Sequence, residues 1–446
     1  IHVTTNDVAA RVQQAFDAQE LWPEPLVQLN PAFAPGASVP DLVKADKLHA
    51  LCADVFRHGK SESEHGAPLD LYKHQVEAID IARGGDNYVV TTGTGSGKSL
   101  TYIIPIVDHV LRHGSGKGIK AIIVYPMNAL ANSQAGELEK FLGFGFGGTP
   151  PVTYHRYTGQ DDEETRRRIK ENPPDILLTN YVMLELILTR GHDEALVQAT
   201  QGLRYLVFDE LHTYRGRQGA DVSMLIRRVR DRMGGTDLQC IGTSATMGSR
   251  GGIREQREEV ARVATKVFGD EVKPEHVVGE TLRRITAPID LDGASLPARL
   301  AASVRGVETL VSRPFADFVQ DPLCSWVEST IGVRVDEGTG TLVRQTPQHL
   351  TGKEGVAARL EQLTGLPSGS AEAPLQRLLT AGQFPSPLSP RPRATHAAAG
   401  GLQGRGRRCT LVHGTMRCPP GQAASPDPST GSKQEHQVSD HPTRTT

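Results

Sequence analysis

Short apolar runs recur through the middle of the chain, each bounded by Gly, Pro or polar residues. Five of them read as strands: Tyr88–Thr91, Ala121–Tyr125, Asp175–Thr179, Tyr205–Asp209 and Leu238–Thr243. The stretches between them are long enough for crossover helices. Residues 67–270 are therefore expected to form an α/β domain, a parallel sheet with helices on both faces. Leu100–Leu111 is one expected helix, despite Pro105 near its start. Val222, Leu225, Ile226, Val229 and Met233 recur at helical spacing and predict a core-facing stripe. Arg227, Arg228, Arg230 and Arg232 fall largely on the other, solvated side of it. Asp161–Glu171 reads as an exposed helix. Upstream, residues 1–66 form an N-terminal helical segment, with helices near Asn6–Leu21 and Leu42–Arg57.

Residues 271–382 have globular composition and no recognised motif. Residues 383–446 differ: they hold 9 Pro, 7 Gly and 8 Lys or Arg against 3 Asp or Glu, with few large apolar side chains. Such a tail cannot bury enough surface to offset chain entropy, so it is expected to be disordered. The whole chain of 446 residues is 38% apolar, and its 49 basic and 51 acidic residues nearly cancel. Nucleic-acid binding would have to come from local patches rather than bulk charge. No apolar run reaches the ~18–20 residues needed to span a bilayer. Cys52, Cys240, Cys324, Cys409 and Cys418 form no CxxC pair, so neither a zinc site nor a disulfide framework is expected. A cytoplasmic location fits best.

The strongest chemical signal is Thr92-Gly93-Thr94-Gly95-Ser96-Gly97-Lys98-Ser99, set between a strand and a helix. That is the context a phosphate-binding loop requires. Glycines let the backbone wrap a phosphate so that successive N–H groups point inward, and the helix N-terminus adds a favourable dipole. Lys98 is placed to reach the β- and γ-phosphates, and Ser99 to ligate Mg²⁺. Thr92 stands where Gly is usual in the strict pattern. About 110 residues on, Tyr205–Phe208 runs into Asp209-Glu210-Leu211-His212. Asp209 at a strand's C-terminal edge can hold Mg²⁺, and Glu210 can orient and deprotonate a water. A third signal, Gly242-Thr243-Ser244-Ala245-Thr246, ends a strand in small hydroxyl residues.

In this order, the motifs resemble the first motor domain of superfamily 2 helicases of the DEAD/DEAH-box (DExH) type. Thr92–Ser99 matches motif I, Asp209–His212 motif II and Ser244–Thr246 motif III. The resemblance covers about residues 67–250 and implies a RecA-like P-loop NTPase fold, with ATP and Mg²⁺ as cofactors. It implies that Gln75, in Leu71–Gln75, bonds the adenine edge, and that Lys98, Asp209 and Glu210 are catalytic. His212, Ser244 and Thr246 would couple nucleotide to strand binding. Tyr125–Leu130 and Leu178–Tyr181 look like motifs Ia and Ib, which makes Pro126, Asn128, Thr179 and Asn180 nucleic-acid contacts without base reading. The sequence around these motifs, including Gly216–Arg228, most resembles large bacterial DExH helicases with further C-terminal domains; nucleic acid is the expected partner, DNA ahead of RNA, and no membrane is expected.

Such enzymes close two motor domains on ATP. No convincing motif IV, V or VI follows Thr246, and Gln403–Arg408 has only a passing likeness to motif VI. The composition break near residue 383 leads to the expectation of a chain truncated by a frameshift before its second motor domain. The alternative reading is a non-catalytic nucleotide- or nucleic-acid-binding fragment. A P-loop ATPase acting on proteins is a third.

Overall fold

The computed structural model describes residues 6–17, 26–93, 95–214, 216–234, 237–245 and 252–381. The tail expected to be disordered lies outside them. Helix α1 (Asn6–Asp17) stands where Asn6–Leu21 was expected. The single helix expected over Leu42–Arg57 is instead two short ones, Val39–Lys44 and Cys52–Val55. Ser38 caps the first through its Oγ, which accepts the Asp41 N–H at 3.2 Å. The first then stops because Asp46 turns left-handed, with φ 55°, and the Lys47 N–H closes back on Leu42 O at 2.8 Å.

Seven strands form the central sheet: β1 (Tyr88–Thr91), β2 (Ala121–Tyr125), β3 (Tyr154–Arg156), β4 (Ile176–Asn180), β5 (Tyr205–Phe208), β6 (Gln239–Ser244) and β7 (Val277–Gly279). Their order across the sheet is β7-β1-β6-β5-β2-β4-β3, and every pairing is parallel. All five expected strands are present, within a residue or so at each end. The two that pattern alone missed, β3 and β7, are the edge strands. β7 lies beyond residue 270, so the sheet runs past the expected end of that segment.

Side chains alternate along each strand and build two cores. Tyr88, Val90, Ile123, Leu178, Val207 and Ile241 face one core. It is closed by α2 (Lys73–Gly84), α3 (Leu100–His113) and α4 (Asn128–Leu138). Val89, Ile122, Leu177, Leu206, Phe208 and Cys240 face the other. There the cover is α5 (Glu163–Glu171), α6 (Tyr181–Thr189), α7 (Glu194–Ala199), α8 (Gly216–Val229) and α9 (Ile253–Phe268). A third core, with Leu300, Leu323, Trp326, Leu360 and Leu375, lies within residues 296–378 and takes in Val27 and Leu29. Each core carries one buried free thiol: Cys52, Cys240 and Cys324 respectively.

Pro105 sits inside α3 and has no N–H for the carbonyl of Thr101 one turn back. The phenol of Tyr88, on β1 beneath, donates to Thr101 O at 2.8 Å and satisfies that carbonyl. The α8 stripe is buried as expected, but its arginines are not simply solvated. Arg227 donates to Lys266 O at 3.2 Å, Arg228 to Glu185 Oε1 at 3.2 Å and Arg230 to Leu238 O at 3.2 Å. Arg232 donates to Leu188 O. Their long stems reach across to neighbouring elements, which is why helical spacing alone suggested water.

Phe208 is fully buried at the end of β5 and meets the Tyr214 ring edge-on at a centroid distance of 5.9 Å. Phe208→Ala is expected to lower stability by about 3–5 kcal/mol in urea unfolding, from lost burial and the cavity left behind.

Candidate nucleotide site

The phosphate loop leaves the C-terminal end of β1 and enters α3. Gly95 and Gly97 hold φ of 79° and 71°, a region closed to most side chains. A Cβ on Gly97 would lie 2.5 Å from Gln75 Nε2. That contact shows what holds the loop. Gln75 is buried; its Nε2 donates to Gly97 O at 2.9 Å, and its Oε1 accepts the Tyr72 N–H at 2.8 Å. His74 Nε2 meets Ser96 O at 3.0 Å, and burial pushes the His74 imidazole down, so it is neutral near pH 7. Inside the loop, the Thr92 and Ser96 hydroxyls are 2.6 Å apart. Ser99 opens α3, its carbonyl accepting the Ile103 N–H at 2.9 Å. Thr94 lies outside the described residues, as does Thr246.

The acidic box reaches the same edge from β5, two strands away. Lys98 Nζ lies 3.3 Å from Glu210 Oε1, and the two side chains are only 12% and 26% exposed. Glu210 Oε2 lies 3.2 Å from His212 Nδ1, which is 3.4 Å from Ser244 Oγ. One continuous polar line thus runs from the phosphate loop through the acidic box to the end of β6. Glu210 adopts φ 53° and ψ 51°, a left-handed conformation costing roughly 1–2 kcal/mol in a residue with a side chain. Three bonds hold it there: its N–H donates to Thr243 Oγ1 at 3.0 Å, and its carbonyl accepts the Thr213 N–H at 2.9 Å and the Thr213 hydroxyl at 2.8 Å.

Thr243 was not among the expected site residues. Its hydroxyl also donates to Asp209 Oδ1 at 2.5 Å, so one side chain fixes both carboxylate-bearing residues. The signal was present, since Thr243 lies in the same small-hydroxyl run as Ser244. Burial pushes the Asp209 carboxyl up from its ordinary value, against the Thr243 hydrogen bond that lowers it. The buried phenols of Tyr102 and Tyr125 are pushed up, by burial first and in part by the neighbouring Asp209 charge.

The segments expected to touch nucleic acid also meet at this edge. Asn180 Nδ2 donates to Asn128 Oδ1 at 2.7 Å, joining the ends of β2 and β4. Asn180 also caps α6 by accepting the Met183 N–H at 2.8 Å. Pro126 is half-buried beside the exposed Met127. Thr179 departs from expectation: it is fully buried and its hydroxyl donates to Tyr157 O at 2.8 Å, so it offers no surface for direct contact. Both faces of β4 are covered as far as Thr179, whereas Asn180 is the last residue of the strand and reaches the rim.

Residues 72–251 match the family model described as DEAD/DEAH box helicase. The chain is 32% identical over 190 residues to the uncharacterised ATP-dependent helicase YprA of Bacillus subtilis, covering 42% of this chain and 24% of that one. It is 29% identical over 247 residues to the uncharacterised ATP-dependent helicase MJ1574 of Methanocaldococcus jannaschii, covering 54% and 34%. A crystal structure of the DUF1998 helicase MrfA bound to DNA aligns with a TM-score of 0.43 at 19% identity, over 67% of this chain and 40% of that one. The matches to the two curated relatives thus span about a quarter to a third of their length.

The raised Asp209 carboxyl has a consequence for stability. Its folded value lies above its unfolded one, so the folded chain holds the extra proton and stability falls as pH rises out of the ordinary carboxylate range. Asp209→Asn is therefore expected to melt higher than the parent chain at neutral pH without divalent ions. The gap should close as pH falls through and below the ordinary Asp value of 3.8, where both states become protonated. Thermal unfolding across that range checks this, and an unchanged or lower melting point at neutral pH would contradict it.

Proposed function

We propose, for a chain whose residues 72–251 form a DEAD/DEAH box helicase domain, that it is the ATP-binding motor part of a nucleic-acid helicase or translocase. The observation carrying this reading is the polar line from Lys98 through Glu210 and His212 to Ser244, at the C-terminal edge of the sheet. In this reading Lys98 exchanges Glu210 for the β- and γ-phosphates of ATP, which offer more negative charge. Exchange frees the Glu210 carboxylate to orient a water and take its proton as the water attacks the γ-phosphorus. The bond from phosphorus to the bridging oxygen breaks, and ADP leaves. Gln75, buried with both amide atoms bonded to the chain, would meet the adenine edge by giving up one of those bonds.

Mg²⁺ fits the residues present. Ser99 and Asp209 offer hard oxygen donors, and among the described residues, this site included, no three His, Cys, Asp or Glu gather to hold a metal by themselves. An ion completed by phosphate oxygens and water needs no more than one or two protein ligands. It would neutralise charge developing on the phosphates. His212 and Ser244 would report the state of the nucleotide to a strand held near Asn128 and Asn180, with Thr246 as a further coupling residue. Contacts there are to backbone, so little sequence preference is expected.

DNA is the favoured partner, on the resemblance of Gly216–Arg228 to large bacterial DExH helicases. No helix among the described residues is long and apolar enough to cross a membrane, and the proposed setting is the cytoplasm. Related NTPases also need an arginine from outside the phosphate loop to reach full turnover. With one such sheet among the described residues, turnover by this chain alone is expected to be slow.

Glu210→Gln should bind ATP as the parent does and lose at least 100-fold in turnover, the typical contribution of a positioned base. Phosphate release with single-stranded DNA, then with RNA of the same sequence, tests both limbs. Parent-like turnover in the variant would end the assignment of Glu210. Equal stimulation by both polymers would end the preference for DNA. Binding of ATP with no turnover under any condition would favour the non-catalytic reading.

A further inference from the structure

One ion pair from beyond the family match reaches back into the phosphate loop. Glu280 directly follows β7, the edge strand beside β1. Arg344 ends the short strand Leu342–Arg344, which pairs antiparallel with Val333–Val335. Arg344 Nε donates to Glu280 Oε1 at 2.5 Å and Nη2 to Oε2 at 2.9 Å, the paired geometry open to arginine. Nη1 donates to Asn30 Oδ1 at 2.7 Å. Glu280 Oε2 also accepts the Gly93 N–H at 3.2 Å. The guanidinium lies so close to Gly93 that a Cβ there would sit 2.8 Å from Nη2. Phe33 lies 5.7 Å from the guanidinium carbon, within a small apolar cluster of Phe33, Leu282 and Val333 with Tyr72 and Leu342 packed against it.

We propose that Arg344 and Glu280 are positioning residues for nucleotide binding, a clamp through which residues 280–344 set the shape and charge of the phosphate loop's entrance. This rests on the reading of Thr92–Ser99 as the ATP site. All three nitrogens of Arg344 are engaged by protein acceptors, so its charge is directed at Glu280 and Asn30 in this arrangement. Its work is on Glu280. A carboxylate beside a loop built to hold a polyanion repels the ligand unless neutralised. Arg344 neutralises it and leaves its oxygen free to fix the Gly93 amide. The loop is thereby held in one geometry before nucleotide arrives, which reduces the ordering that binding must impose. Gly93 is small because the guanidinium occupies the space a side chain would need.

The test is titration of the full chain with a fluorescent ATP analogue and Mg²⁺. Arg344→Ala is expected to bind roughly tenfold more weakly, the scale of one charge-assisted contact. Adding Glu280→Gln to Arg344→Ala should recover most of that loss, because the unpaired charge goes with it. A merely structural pair would lose melting temperature in both variants with no such recovery. Gly93→Ala, which leaves the ion pair chemically intact, should also weaken binding and serves if Arg344→Ala does not fold. Parent binding with unchanged affinity in Arg344→Ala and Gly93→Ala would overturn the clamp alone. A parent chain that does not bind the analogue would overturn the nucleotide site and the clamp together.

Discussion

Parallel pairing of β1, β6 and β5 side by side is the constraint on which the rest depends. Thr91 pairs with Ser244 and Phe208 with Gly242, so β1 and β6 end level and β5 ends two residues earlier, which brings Asp209 and Glu210 onto the same edge. Parallel strands deliver all their C-terminal ends to one edge. Loops that are far apart in the chain, after residues 91, 208 and 244, therefore open onto the same small volume. No local preference of Lys98, Glu210 or Ser244 would bring them together. Six parallel ladders and the two apolar layers around them supply that convergence.

Within that volume, charge and strain are managed by neutral hydroxyls. Asp209 is buried and raised, Glu210 is twisted left-handed, and Thr243 is bonded to both. The left-handed turn at Glu210 points the acidic box along the sheet edge towards Lys98. A threonine from the neighbouring strand can support it without adding charge. Lys98 and Glu210 neutralise each other across the gap, so each is held near the place where the other would act.

The central sheet was legible because its inner strands are apolar runs with no exposed face, a pattern shared by few loops. The edge strands were not. Tyr154–Arg156 is half-polar because one side meets solvent, and Val277–Gly279 is too short to rise above its surroundings. The broken helix at 39–55 turned on the left-handed Asp46, which spacing does not reveal. The convergence of Lys98, Asp209, Glu210, His212 and Ser244 was legible because each stands at or soon after the end of a strand, and parallel strands carry all of them to one edge. The motif names a segment and so implies Thr179 as a contact, while the point at which the covering layers end leaves Thr179 buried and Asn180 at the rim. Glu280 and Arg344 were invisible, since a lone Glu and a lone Arg 64 residues apart carry no pattern until the fold joins them.

The three thiols, one in each core, make the protein its own stopwatch. Only a thiolate attacks an alkylating reagent at a useful rate, and burial lifts Cys240 to about 12 and raises Cys52 and Cys324 as well. Each sulfur is therefore silent until the layer around it opens to water. The speed with which each is modified reads out the opening free energy of its own layer, one on each face of the sheet and one in the 296–378 region. The described residues carry three native clocks, with no engineered probe to disturb the packing they time.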